Sequence, residues 1–124
     1  MYTHRMGMVA VKMEIANPLR AERRAAVTLL VDPGANYSMI PRQVLEQIGI
    51  APLERVEFEI ADGRRIHRDI GEATFFWDTK RGISQVIFGE DSDAAVLGVI
   101  ALESLALEVD PFNQQLRPAK LILY

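Results

Sequence analysis

No cysteine occurs in this chain, which excludes a disulfide framework, a thiol nucleophile and a thiolate-ligated metal. Histidine is nearly absent: the two present, His4 and His67, are far apart in the sequence. His4 lies in the N-terminal segment, and His67 falls between Ile66 and Arg68 on a strand-like stretch with its side chain expected to face solvent. A histidine pair for a metal or a Ser-His triad therefore has little to build on, and neither a metal nor a cofactor is expected. Long apolar runs are missing as well. Met6 to Val11 is the most apolar part of the start, but Lys12 and Glu14 interrupt it before a signal-peptide core could form, and no segment is long enough to span a bilayer. Neither sign of charge dominates. The 14 basic and 17 acidic residues give a net charge of −3, with no basic stripe and no acidic tail. That balance argues against a nucleic-acid or membrane partner and leads to the expectation of a soluble, cytoplasmic protein. Arg64, Arg65 and Arg68 are too few to alter it, and the acidic cluster Glu90, Asp91 and Asp93 lacks the spacing of a calcium loop, so a solvated loop is expected there.

What is present suits a single domain over residues 1–124, with 49% apolar content and roughly two-thirds of its unfolded surface buried on folding. Val9, Val11, Met13 and Ile15 alternate with Ala10, Lys12 and Glu14, the period of a half-buried strand that Asn17-Pro18 ends. Leu19 to Arg24 is polar and reads as a turn, and Ala25 to Val31 as the returning strand of a hairpin. Pro41 opens a short helix with Val44, Leu45 and Ile48 on one face, and Gly49 stops it. Val56, Phe58 and Ile60 alternate up to a turn at Ala61-Asp62-Gly63, from which Ile66 to Trp77 returns as a long strand. Within it, Phe75, Phe76 and Trp77 are expected to pack the core and an adjoining interface. Asp78 to Gly82 reads as a turn, and Ile83 to Phe88 and Ala94 to Leu97 as strands. Val99 to Leu105 predicts a turn or two of helix with Ile100, Leu102 and Leu105 on the core, and Leu107 to Asp110 and Lys120 to Leu123 the last strands. Short strands, frequent turns and two short helices indicate an all-β class, mainly β with one or two short helices, of the barrel or sandwich kind.

Chemistry concentrates at one place. Leu29-Leu30-Val31 ends in Asp32, and Pro33-Gly34 then turns the chain. An acid where a buried strand leaves the core is costly unless something uses it. Asp-Pro-Gly is also an ordinary turn sequence, in which the acid caps its own backbone.

The order of features along the rest of the chain weighs towards a used acid. Leu29-Leu30-Val31-Asp32-Pro33-Gly34-Ala35, Ser38-Met39-Ile40-Pro41, a hairpin tipped by Ala61-Asp62-Gly63, Val96-Leu97-Gly98, and Ala101 to Leu105 running into Leu107-Glu108-Val109-Asp110-Pro111 succeed one another through most of the chain. This series resembles the retropepsin-like aspartic proteases, in particular their single-domain bacterial and archaeal members. The resemblance implies a closed β-barrel and a homodimer that hydrolyses peptide bonds of a peptide or unfolded protein, with no cofactor. It implies Asp32 as the catalytic acid, Pro33, Gly34 and Ala35 as its supporting loop, and Asn36, Ala61, Asp62, Gly63, Leu97 and Gly98 around the substrate groove. The hairpin from Phe58 to Ile70 would be the flap, its tip carrying fewer glycines than viral flaps do.

The chemistry requires two carboxylates that share a proton. The chain has one Asp-x-Gly, at Asp32, since Asp62-Gly63 lacks the middle residue and Asp110-Pro111 is followed by Phe112. The second acid is therefore expected from Asp32 of another copy. One departure stands out. The family carries Thr or Ser between the acid and the glycine, with a hydroxyl that bonds across the dimer axis, and this chain has Pro33. Proline has neither hydroxyl nor N–H. Two expectations result: an aspartic endopeptidase with a loosely held dyad, or a catalytically weak or inactive dimerisation or peptide-binding module on the same scaffold. Leu121 to Tyr124 is apolar enough to pair across a dimer or to cover the chain's own sheet edge.

Overall fold

A computed structural model describes residues 9–123. The expectations for His4, for Met6 to Met8 and for Tyr124 lie outside the described residues. Val9, Val11, Met13 and Ile15 are buried while Ala10, Lys12 and Glu14 face out, so the first strand, β1 (Val9–Asn17), follows its sequence period. It pairs antiparallel with β2 (Arg20–Val31) from Val9↔Val31 to Asn17↔Arg20. The turn is therefore tighter than Leu19 to Arg24. Arg20 to Arg24 are strand with both faces in solvent: Arg24 bonds Glu14 at 3.3 Å and lies 4.3 Å over the Phe76 ring. Polarity there reports exposure, not loss of pairing.

The remaining elements are β3 (Ser38–Pro41), α1 (Arg42–Gln47), β4 (Glu54–Glu59), β5 (Arg65–Trp77), β6 (Lys80–Gly89), β7 (Val96–Leu97), α2 (Val99–Ser104), β8 (Leu107–Asp110) and β9 (Gln115–Pro118). The protein is mainly β with two short helices. Pro41 precedes α1 and Gly49, at φ 78°, follows it, which is the expected division of labour between a fixed φ and a left-handed one. A second turn is shorter than its polar composition suggests. Between β5 and β6 only Asp78 and Thr79 are unpaired, with Trp77↔Lys80 closing the turn and Asp78 in the left-handed region at φ 55°. The last strand is Gln115–Pro118, paired with β8, and not Lys120 to Leu123, which forms no strand and leaves Leu121, Ile122 and Leu123 exposed. In α2, Ile100 faces outward and Ala101, Leu102 and Leu105 are buried.

The large sheet runs β1-β2-β7-β3-β6-β5-β4, and β1 also pairs with β5 through Glu14↔Phe76, Ile15↔Phe75 and Ala16↔Thr74. Pairings thus form a ring through β1, β2, β7, β3, β6 and β5, with β4 attached outside on β5. β8 and β9 form a separate two-stranded sheet. Ile15, Leu29, Ile40, Leu45, Phe75, Phe88 and Leu97 are wholly buried in one hydrophobic cluster, and each such side chain contributes about 2 kcal/mol relative to leaving it in water. Phe75 is central, while Phe76 and Trp77 are half-buried. Among the described residues no helix is long and apolar enough to cross a membrane.

Candidate functional site: an acid loop and a hairpin arm

Two strands that are not neighbours create the setting of Asp32. β7 lies between β2 and β3, parallel to the first and antiparallel to the second, so the segment joining β2 to β3 must pass over the end of β7. Asp32 begins that segment. Its N–H donates to the Leu97 carbonyl at 2.9 Å, continuing the pairing that Leu30 makes with Ala95 at 3.0 Å. Val31 below it is buried and Asp32 is half-buried, which places a carboxylate at the core's boundary.

Residues 32–35 form a turn closed by the Ala35 N–H donating to the Asp32 carbonyl at 3.0 Å. Pro33 occupies the second position, where its fixed φ suits the turn. The Gly34 N–H donates to Asp32 Oδ1 at 2.9 Å, the one hydrogen bond that the carboxylate receives among the described residues. Beyond the turn, the Ala35 and Asn36 carbonyls accept the N–H groups of Val99 at 2.8 Å and Ile100 at 3.1 Å, so the loop is pinned to the start of α2. Close approach there depends on Gly98. A Cβ on it would lie 2.5 Å from the Tyr37 carbonyl oxygen and 2.9 Å from that of Ala35.

One residue of this site was not assigned a role from the sequence. Ser38 is fully buried, and its hydroxyl accepts the Gly98 N–H at 2.9 Å. It binds the strand after the acid loop to the glycine beneath that loop. The available signal was a lone hydroxyl at the start of the apolar Ser38-Met39-Ile40 run, where a polar group survives burial only with a partner.

The expected groove residues separate by depth. Leu97 and Gly98 are buried and offer backbone: Leu97 supplies the carbonyl under Asp32, and Gly98 the space. Asn36 is exposed at the loop's outer edge. Ala61, Asp62 and Gly63 are exposed at the tip of the β4–β5 hairpin, where the Gly63 N–H donates to the Ile60 carbonyl at 2.9 Å with φ 90°. Asp62 is occupied locally. The Arg64 backbone N–H at 2.9 Å and its guanidinium at 2.7 Å hold the Asp62 carboxyl below its usual range. His67 is exposed on this hairpin, 3.5 Å from Glu57.

The hairpin stands beside the acid loop. Tyr37, the residue before β3, meets Phe58 of β4 edge-to-face with ring centroids 5.8 Å apart. Further contacts lie at its root. Arg42 bonds Asp69 of β5 and Glu90, and Arg68 of β5 bonds Asp93 with two prongs at 2.8 and 3.1 Å. The acidic cluster at residues 90–93 is thus partly ion-paired, with Asp91 in solvent. Hydrogen bonds from Arg42 and Arg68 hold Asp69 and Asp93, respectively, below the usual carboxylate range, against the opposing effect of burial. Among the described residues no group of His, Asp or Glu is arranged to hold a metal. Surface concavities of about 280 Å³ beside Leu19 and Leu53 and about 440 Å³ beside Phe76 and Trp77 are not lined by the acid loop.

No family model matches the chain, and no curated protein matches it.

Chemically, the chain presents one carboxylate at the end of a buried strand, held by a backbone N–H and flanked by an aromatic-braced arm. A single such acid lacks the second group that would hold a proton while the first removes one from water.

Proposed function

We propose that the protein is a homodimeric aspartic endopeptidase of the retropepsin-like kind, acting on extended peptides or unfolded segments of protein. The observation that carries this reading is the acid loop: Asp32 at a strand end, Oδ1 held by the Gly34 N–H, and the loop pinned across Gly98 to β7 and α2. On this reading the ring of paired strands is the closed barrel, the β4–β5 arm is the flap, and Asn36 and the Ala61-Asp62-Gly63 tip border the groove. Asp32 of a second copy completes the dyad about a two-fold axis. The exposed apolar tail supports a second copy as well, since Leu121, Ile122 and Leu123 are 78%, 73% and 87% exposed.

In the dyad, two like charges at close range cannot both ionise, so the pair holds one proton between them. The ionised Asp32 takes a proton from water, and the oxygen attacks the scissile carbonyl carbon. The protonated Asp32 donates its hydrogen bond to the carbonyl oxygen and stabilises the developing charge. Collapse of the tetrahedral intermediate breaks the C–N bond, with a proton passed to the leaving amine. No metal, cofactor, nucleic acid or membrane enters the scheme, and a cytoplasmic setting fits the absence of cysteine.

Pro33 favours a second reading, a dimerisation or peptide-binding module that has lost turnover. Purified protein incubated with a broad peptide library across acid and neutral pH separates the two. The endopeptidase reading expects cleavage, best below neutral pH, that a statine-type transition-state mimic blocks and Asp32→Asn abolishes. Binding of peptides without cleavage, unaltered by Asp32→Asn, would establish the module instead.

A further inference from the structure

β5 changes partners along its length. Arg65 to Ile70 pairs with β4, and from Ile70 to Trp77 the strand pairs with β6. The β4–β5 arm therefore leaves the sheet at Ile70, and its outer part has only β4 and β5 to hold it in plane. A two-stranded arm of this kind is marginal in water without added contacts. Those contacts lie immediately past the branch point, at Arg68 and Asp69.

Arg68 is the better enclosed. It and Asp93 are each 15% exposed, and the guanidinium meets the carboxylate with Nε to Oδ2 at 2.8 Å and Nη2 to Oδ1 at 3.1 Å. This two-pronged geometry is the strong form of such a pair. Asp93 is itself fixed: its Oδ2 accepts the Glu90 N–H at 2.8 Å, and its own N–H donates to the Glu90 carbonyl at 2.9 Å. From Asp93 a short segment leads to Ala95 and Leu97, whose carbonyls accept Leu30 and Asp32. Arg42 provides a parallel tie, joining Asp69 of the arm to Glu90 of the same loop. The arm's root is thus fastened to the loop that feeds the strand under the acid.

We infer that Arg68 and Asp93 are positioning residues, forming a latch that sets the β4–β5 arm against the acid loop. The latch is read from the arm's own geometry, and its consequence for turnover rests on the endopeptidase reading. Outward of the latch, the Tyr37–Phe58 contact braces the arm against the acid loop, and beyond it the tip at residues 60–64 is closed by bonds within itself, so it can lift while the root stays in register. Peptide would be admitted by motion of that tip and held at a depth that the root determines.

Amide hydrogen exchange on the full chain, read on peptides covering residues 54–68 and, as control, 9–31, tests the latch whether or not the protein cleaves anything. Arg68→Ala and Asp93→Asn are expected to speed exchange of the arm about tenfold while leaving the β1–β2 control unchanged. Arg68→Lys, which keeps charge but loses the fork, should fall between the parent and those variants, and it replaces Arg68→Ala if that variant fails to fold. If the single variants leave arm exchange unchanged, the latch is refuted. Where peptide cleavage is measurable, the same variants should raise KM about fivefold with kcat nearly kept, as loss of substrate positioning requires. Faster arm exchange in a protein that cleaves no peptide would sustain the latch and remove the endopeptidase reading. Cleavage with arm exchange unaltered would do the reverse.

Discussion

Replacing Gly98 by alanine is the sharpest test of how the acid loop is seated. The Gly98 backbone is extended, at φ −98° and ψ −180°, so alanine carries no dihedral penalty and the effect is purely one of space. Its Cβ would stand 2.5 Å from the Tyr37 carbonyl oxygen and 2.7 Å from the carbonyl carbon. Even a close C···O contact needs about 3.3 Å, so the Tyr37 carbonyl must retreat by about 0.8 Å. It cannot do so alone, because Ala35 and Asn36 on the same loop accept the Val99 and Ile100 N–H groups at 2.8 and 3.1 Å. Overpacking of this kind costs about 2 kcal/mol, and weakening the two loop hydrogen bonds adds about 1 kcal/mol. Urea denaturation should then show stability lowered by about 3 kcal/mol, a midpoint shift of about 1.5 M for a slope of about 2 kcal/mol/M. Gly34→Ala is the control. There the nearest atom is Asp32 Oδ1 at 3.2 Å, the end of a side chain that can swing aside, so stability should change by less than about 1 kcal/mol. A Gly98→Ala protein within about 0.5 kcal/mol of the parent, inside the range of a neutral surface change, would mean that the loop does not cross β7 as described.

Ser38→Ala removes the acceptor of a buried N–H on Gly98 and should cost about 2 kcal/mol by chemical denaturation; an unchanged midpoint would exclude Ser38 as the tie. Asp69 and Asp93 are both held below the ordinary value of 3.8 by their arginines, so each favours the folded state above that value. The contribution is lost as pH falls through the lower folded-state values. Stability should therefore hold from neutral pH to about 4 and decline below it, and Asp93→Asn should flatten the decline in urea midpoints measured against pH. Pro33→Thr should tighten the dimer in sedimentation experiments and raise any peptidase rate; no change in either would refute the account of that position.

Period and punctuation made most of the fold legible. β1, α1, the long β5 and the Ala61-Asp62-Gly63 turn follow from alternation, from Pro41 and Gly49, and from the glycine at φ 90°. The misread stretches share a cause. Arg20 to Arg24 are polar because both faces meet solvent, and Lys80 to Gly82 because the start of β6 is only partly covered; polar composition alone cannot separate an exposed paired strand from a loop. Lys120 to Leu123 differs in the opposite direction: Leu121, Ile122 and Leu123 are apolar but pair with no strand among the described residues, and Gln115–Pro118 pairs with β8 instead. β3 was hidden by length: Ser38–Pro41 pairs with β6 and at one position with β7, and neither contact is local in sequence. For the site, Asp32 and Gly34 were visible as a turn with an acid in it. Ser38 and the Arg68–Asp93 pair were not, because each depends on partners far along the chain that only the fold brings near.

Pro33 changes where the order of the acid loop comes from. In a loop carrying Thr, the expected lock is a hydroxyl bond to the second copy, so part of the loop's order would arrive with dimerisation. Here the turn is closed within one chain by the Ala35 N–H on the Asp32 carbonyl at 3.0 Å, and proline sits at the position where a fixed φ favours that turn. By restricting the unfolded chain, such a proline contributes about 0.5–1 kcal/mol to the monomer. In the proposed dimer, the same substitution forgoes about 1 kcal/mol per missing hydroxyl bond. The two effects have similar size and opposite destinations. Pro33→Thr should therefore lower the stability of the separate chain while strengthening the assembled pair, and at that point the two readings of function diverge. For an endopeptidase, stability moves from monomer to dyad and turnover rises; for a peptide-binding module, the association constant rises and no bond is cut.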